Sequence, residues 1–185
     1  MTTSSPFLTD VATLRQRARQ HIEEGAITNS YGANRETVIE LLNDALATEL
    51  LCVLRYRRHH FMAAGLSANS VAQEFMQHSI EEQAHADEIA SRIVQLRGEP
   101  NFSPDSLSSR SHAEYVECDS LVEMIKENLV AERIAIDSYR EMIIYLGDND
   151  TTTRRMLEGI LAMEEEHADD LLTLVEKYVP GEHKI

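Results

Sequence analysis

Two sets of residues in this chain could do metal chemistry, and their spacing repeats. Glu49 is followed after 7 residues by Tyr56, after 33 by Glu82 and after 36 by His85. Glu132 is followed after 7 by Tyr139, after 32 by Glu164 and after 35 by His167. Both tyrosines precede an arginine (Arg57, Arg140), and both histidines open a His-Ala-Asp tripeptide. Agreement in spacing and in residue type marks two copies of one unit. Glu-x-x-His puts both side chains on one helix face, so each pair can reach a single ion.

These residues sit where aliphatic ones belong. The inward seams read Leu42, Leu46, Glu49, Val53, Tyr56, His60, Ala63; then Val71, Phe75, His78, Glu82, His85, Ile89. The second pair reads Ile125, Leu129, Glu132, Ile136, Tyr139, Ile143, Leu146; then Leu157, Ile160, Glu164, His167, Leu171, Leu174, Tyr178. A buried bare carboxylate costs several kcal/mol. Two like charges 4 Å apart cost ~4 kcal/mol even at an effective dielectric of 20. Four core glutamates therefore need protons or cations. Two divalent ions balance four carboxylates, with neutral imidazoles completing the ligand number. A glutamate from each of two helices plus Glu-x-x-His from each of two others is the donor set of di-iron and di-manganese carboxylate bundles. Oxygen and nitrogen donors without thiolate favour iron or manganese over structural zinc.

The elements that must position this set are helices. Helical periodicity runs from about Asn34 to Ala64, with Asn34 as N-cap and Gly65 as terminator, and from Asn69 to Arg97, with a Ser70/Gln73 capping box and a Gly98–Pro100 stop. A third segment opens at the capping box Ser120-x-x-Glu123 and ends at Gly147; a fourth opens in Thr151–Thr153 and stops before Pro180. Short links make two antiparallel hairpins, and the Ser-, Pro- and Asn-rich stretch from Gly98 to Cys118 is long enough to run back along the bundle. The second and third helices are then parallel. The expected fold is all-α, a four-helix bundle over residues 34–180 with one long crossover. Residues 1–33 form an extension, with Leu8, Val11, Leu14, Ala18 and Ile22 on a short amphipathic helix, and 181–185 a short tail.

Composition agrees. The chain has 185 residues, 43% hydrophobic and 26% charged, within the range of an ordinary folded domain. Seventeen basic against 32 acidic residues give a net charge of -15, which opposes a basic nucleic-acid surface and suits a protein that attracts cations. Arg15, Arg17 and Arg19 are the candidates for a DNA contact, but no lysine precedes Lys126, and DNA binding is not expected. No apolar run nears the ~20 residues that span a membrane, no signal pattern opens the chain, and the expected location is the cytoplasm. Cys52 and Cys118 are too few for a disulfide framework or a four-thiolate zinc site; Cys52, one turn after Glu49, is read as a buried inert thiol.

From about Asn34 to Val179, the twice-occurring Glu plus Glu-x-x-His set resembles the ferritin-like superfamily, and the bacterioferritin branch in particular. The resemblance implies that Glu49, Glu82 and His85, with Glu132, Glu164 and His167, are ligands of two iron ions (manganese being the other candidate), with Glu82 and Glu164 as bridges. It implies ferroxidase chemistry: Fe(II) is oxidised by oxygen or hydrogen peroxide and stored as Fe(III) in a hollow homo-oligomeric cage. Two departures bear on the details. Haem-binding members carry methionine directly after the first Glu-x-x-His glutamate; here that residue is Gln83, so haem is not expected. The chain ends at Ile185 without the family's fifth helix, which points to a Dps-like cage of 12 subunits rather than 24. The alternatives are a di-manganese or di-iron catalase or peroxidase, and a DNA-protecting Dps-like protein.

Among the remaining polar residues, His78 is read as a core histidine, with an extra metal or relay role as the alternative. His59 and His60 are read as interfacial or solvated. Tyr56 and Tyr139 either pack, or hydrogen-bond the ligand carboxylates or donate electrons. Of the Glu164-Glu165-Glu166 run, only Glu164 has the i+3 relation to His167.

Overall fold

The computed structural model describes residues 9–63 and 68–178, which are all-helical with no strand among them. Six α-helices follow in order: α1 (Val11–Arg17), α2 (Arg35–Met62), α3 (Asn69–Gln95), α4 (Leu107–Arg110), α5 (Leu121–Leu146) and α6 (Thr151–Tyr178). The four long ones form the bundle. At the starts of three of them short side chains satisfy free N–H groups of the first turn. Asn34 Oδ1 accepts from the Thr37 N–H at 3.1 Å, opening α2. Ser120 and Glu123 make the reciprocal capping box at the start of α5. Asp150 Oδ1 accepts from the Thr153 N–H at 2.9 Å, opening α6.

Two expected boundaries need correction. The Ser70/Gln73 capping box does not form: α3 starts at Asn69, and Ala68 at its cap offers no side-chain acceptor. The helix also stops at Gln95 rather than Arg97. The left-handed residue there is Arg97, with φ 64°. Gly98 is needed for another reason, since a Cβ would lie 2.8 Å from Ile39 Cγ2. Gly147 does close α5, at φ 48°. Gly65 and Pro180, expected as terminators, lie outside the described residues.

Cross-helix contacts fix the topology. Ser79 Oγ donates to the Val53 carbonyl and His60 Nδ1 faces the Ala72 carbonyl, so α2 and α3 run antiparallel. Tyr56 meets Glu132 and Tyr139 meets Glu49, so α2 and α5 are antiparallel too. The helices α3 and α5 are therefore parallel, as a long crossover between hairpins requires. That crossover is not wholly extended: it contains a 3-10 turn (Pro104–Ser106) and α4, and α4 lies against α2.

The seams face inward as the sequence pattern requires, and the apolar interior falls into two clusters. One gathers Leu42, Leu46, Ile89, Ile93, Leu146, Leu157 and Ile160; the other Leu51, Val71, Phe75, Ile125 and Leu171. Between them lies a layer of buried glutamate and histidine. The N-terminal helix α1 is present but buries nothing, leaving Val11 and Leu14 more than half exposed; Leu8 lies outside the described residues.

Candidate metal centre

Each long helix delivers its polar residues at mid-length into the gap between the two apolar clusters. Glu49, Glu82, Glu132, Glu164 and His167 are at most 1% exposed, and His85 is 7% exposed. All six sequence-predicted residues meet there, in two overlapping groups. Glu49, Glu82, His85 and Glu164 make one; Glu82, Glu132, Glu164 and His167 make the other.

The two shared carboxylates face both ways. His85 Nδ1 lies 3.6 Å from Glu82 Oε2 and 3.0 Å from Glu164 Oε1. His167 Nδ1 lies 3.5 Å from Glu82 Oε1 and 3.5 Å from Glu164 Oε2. Each of these glutamates thus offers one oxygen to each histidine. Glu49 adds its Oε2 on the His85 side, at 3.4 Å from Nδ1.

The fit to a pair of cations can be tested on the polar atoms. Glu49 Oε2, Glu82 Oε1, both oxygens of Glu164 and Nδ1 of both histidines are buried without a hydrogen bond. Buried polar groups are nearly always satisfied, so six orphans converging on one gap suit a pair of cations. Where donors around these atoms do exist, they aim the ligands. The Tyr139 hydroxyl donates to Glu49 Oε1 and the Tyr56 hydroxyl to Glu132 Oε1, each tyrosine serving the glutamate of the other hairpin. On the outer side of His167, Nε2 lies 3.0 Å from Glu81 Oε2, and donation to that carboxylate leaves Nδ1 as a lone pair facing the centre.

Without metal, the charges rearrange. Burial, then the neighbouring Glu82, push Glu49 up to about 8. Burial and the charges of Glu82 and Glu164 hold Glu132 well above the carboxylate range. Burial opposes charge on Glu82 and Glu164 as well, yet their contacts with both histidines keep them below it. Burial also works against a charged imidazole, but the facing carboxylates win, raising His167 to about 11 and His85 further. Two protonated carboxyls and two imidazolium–carboxylate pairs make the metal-free centre close to neutral. Two divalent ions displacing four protons would keep it so.

The model of the ferritin-like domain family matches residues 39–178. The bacterioferritin of Rhodobacter capsulatus is 33% identical over 144 residues, covering 76% of this chain and 84% of that protein. The chain belongs to the bacterioferritin branch of the ferritin-like family. The bacterioferritin of Mycobacterium avium is 31% identical over 140 residues, covering 75% of this chain and 84% of that one. Among solved structures, a dodecameric thioferritin, the bacterioferritin-related protein of Bacteroides fragilis, superposes with a TM-score of 0.75 at 31% identity, covering 83% of this chain and 94% of that chain. The Rhodobacter capsulatus bacterioferritin, with a metal-free dinuclear site and haem iron, gives 0.70 at 30% identity, covering 77% and 86%.

Other residues fall differently from the sequence reading. His59 is not interfacial or solvated but fully buried: its Nδ1 lies 3.2 Å from Asn128 Oδ1 and its Nε2 3.0 Å from the Val116 carbonyl. Sequence reasoning missed the rest of that group. Arg55, 1% exposed, donates to Asn128 Oδ1 at 3.0 Å and to the Glu114 carbonyl at 2.8 Å, pinning the crossover to α2 and α5. It missed Arg92 too, whose guanidinium spans Thr153 Oγ1 (2.7 Å) and Asp150 Oδ1 (2.9 Å) and ties α3 to α6. His60 is partly buried, Glu165 and Glu166 are exposed, and both cysteines are free, with Cys52 buried.

Proposed function

We propose that this bacterioferritin-branch chain oxidises and stores iron, binding two Fe(II) between Glu49, Glu82, His85 and Glu164 on one side and Glu132, Glu164, His167 and Glu82 on the other. The observation that carries this is the two-way presentation of Glu82 and Glu164, one oxygen to each half. When bound, the iron pair supplies the electrons that reduce oxygen or peroxide. The chain's own residues do the rest. Tyr139 and Tyr56 hold one oxygen of Glu49 and Glu132 so that the other turns inward. Glu81 fixes the tautomer of His167. The apolar clusters above and below keep bulk water out, so the carboxylates keep their attraction for cations.

Residues 34–180 are the iron-handling bundle in this reading, residues 1–33 an extension and 181–185 a tail. The assembly is a homo-oligomeric cage of twelve chains; the likeness to the dodecameric thioferritin supports twelve over twenty-four. The site of action is the cytoplasm, and no helix among the described residues is long and apolar enough to cross a membrane. Gln83 stands where haem-binding relatives place methionine, so we infer a haem-free protein, which an absorption spectrum without a Soret band after haem reconstitution would support. A di-manganese catalase is the competing reading. Aerobic Fe(II) titration separates the two: retention of far more than two irons per chain supports storage, whereas a small oligomer holding stoichiometric manganese and evolving oxygen from peroxide refutes it.

A further inference from the structure

Beside the dinuclear centre lies a buried histidine that the centre does not use. His78 is 1% exposed on α3, and its ring stacks on that of His167 at 4.1 Å between centroids. Its two nitrogens face different surroundings. Nδ1 lies 3.2 Å from the Tyr56 hydroxyl oxygen, and that hydroxyl gives its own proton to Glu132. The Tyr56 oxygen can then only accept from His78, so the imidazole proton resides on Nδ1. Nε2 is left as a buried lone pair without a hydrogen bond.

What Nε2 faces is acidic. Glu74 Oε1 lies 3.4 Å away and Asp170 Oδ2 3.8 Å away, half-exposed carboxylates on α3 and α6. A buried nitrogen set against two carboxylates without a hydrogen bond is an arrangement that a cation satisfies. The carboxylates also crowd each other: burial, with Asp170 and Glu81 close by, raises the Glu74 carboxyl. The spacing suits an ion as well. Donors about 2.1 Å from one ion and 90–110° apart are about 3.0–3.4 Å from each other, and wider angles extend that beyond 3.8 Å.

We propose that Glu74, His78 and Asp170 form a third divalent-cation site, on the outer side of the His167 ring, with water filling the remaining positions. The hydrogen-bonded chain His78–Tyr56–Glu132 connects it to the dinuclear centre. The three ligands stand independently of the ferroxidase reading; that the natural occupant is Fe(II) rests on it.

The test is crystallographic, on the full chain soaked in Zn(II), with the anomalous signal read at the zinc edge and bound zinc counted after equilibrium dialysis. The expected result is an anomalous peak at bonding distance from His78 Nε2 and three zinc ions per chain. The double variant Glu74→Gln/Asp170→Asn is expected to lose that peak and bind two. In Glu49→Ala/Glu164→Ala the dinuclear peaks should vanish while the His78 peak persists, so failure of the dinuclear assignment is distinguishable from failure of this one. No peak at His78 in the wild type, or a peak that survives the double variant unchanged, overturns the proposal.

Discussion

Protons and cations compete for the same atoms at the centre, and most of the testable chemistry follows from that. Glu132→Ala or Glu164→Ala removes a ligand and also relieves carboxylate crowding. Fast Fe(II) oxidation is expected to fall by at least a hundredfold in stopped-flow absorbance in both; metal-free Glu132→Ala, which loses a carboxyl held protonated by burial, melts at or above the wild-type temperature, whereas Glu164→Ala, which strips a carboxylate from two imidazoliums, melts lower. The pH dependence has a definite sign. Glu49 is raised to about 8 and His167 to about 11, so above about pH 6.5 the unfolded chain has released protons that the metal-free fold still holds. Stability of the metal-free protein should therefore fall as pH rises from 6.5 to 8, read as a lower melting temperature. Over the same interval, the apparent affinity for divalent ions should rise, because fewer protons must be displaced; calorimetry in buffers of different ionisation enthalpy would show the protons leaving. The convergence of the six candidate ligands was legible because their types and spacings repeat. The pairing of Tyr56 with Glu132, and of Tyr139 with Glu49, was not, since it depends on which helices lie opposite one another.

The helices divide cleanly between parts the sequence announces and parts it does not. The 3.6-residue periodicity and the capping residues Asn34 and Ser120 give the long helices, and the loop lengths give their directions. Ser70 mimicked a cap because its spacing to Gln73 is right, yet the helix had already begun. Arg55, Asn128 and His59 were illegible for a different reason: each is an isolated polar residue on a helix flank, buried only because the crossover lies over it. Arg92 and Asp150 join α3 to the start of α6, and Asp150 also caps that helix. Breaking a buried pair costs about 3–5 kcal/mol, so Asp150→Ala should lower the thermal midpoint of the metal-free protein clearly. Asp150→Asn retains the cap and should recover part of the loss. Exchange of Arg55 for Met should leave iron oxidation in place but speed amide hydrogen exchange across residues 112–118, whose carbonyls Arg55 and His59 hold.

At the scale of the whole molecule, the bundle holds a layer of ionisable side chains between two apolar clusters, and the chain's net charge of -15 favours cation approach. Several apolar side chains face outward, Phe61 at 70% and Ile144 at 79% exposure among them, as expected for a chain that buries surface in an assembly. Sedimentation analysis should give a mass near twelve chains, and a stable monomer would remove the cage from the account. Aerobic Fe(II) titration with stopped-flow detection tests the paired iron site at its source. A fast phase is expected that saturates at two irons per chain and vanishes when Glu82 and Glu164 are both replaced by alanine. A fast phase of unchanged size in that double variant would contradict the paired site.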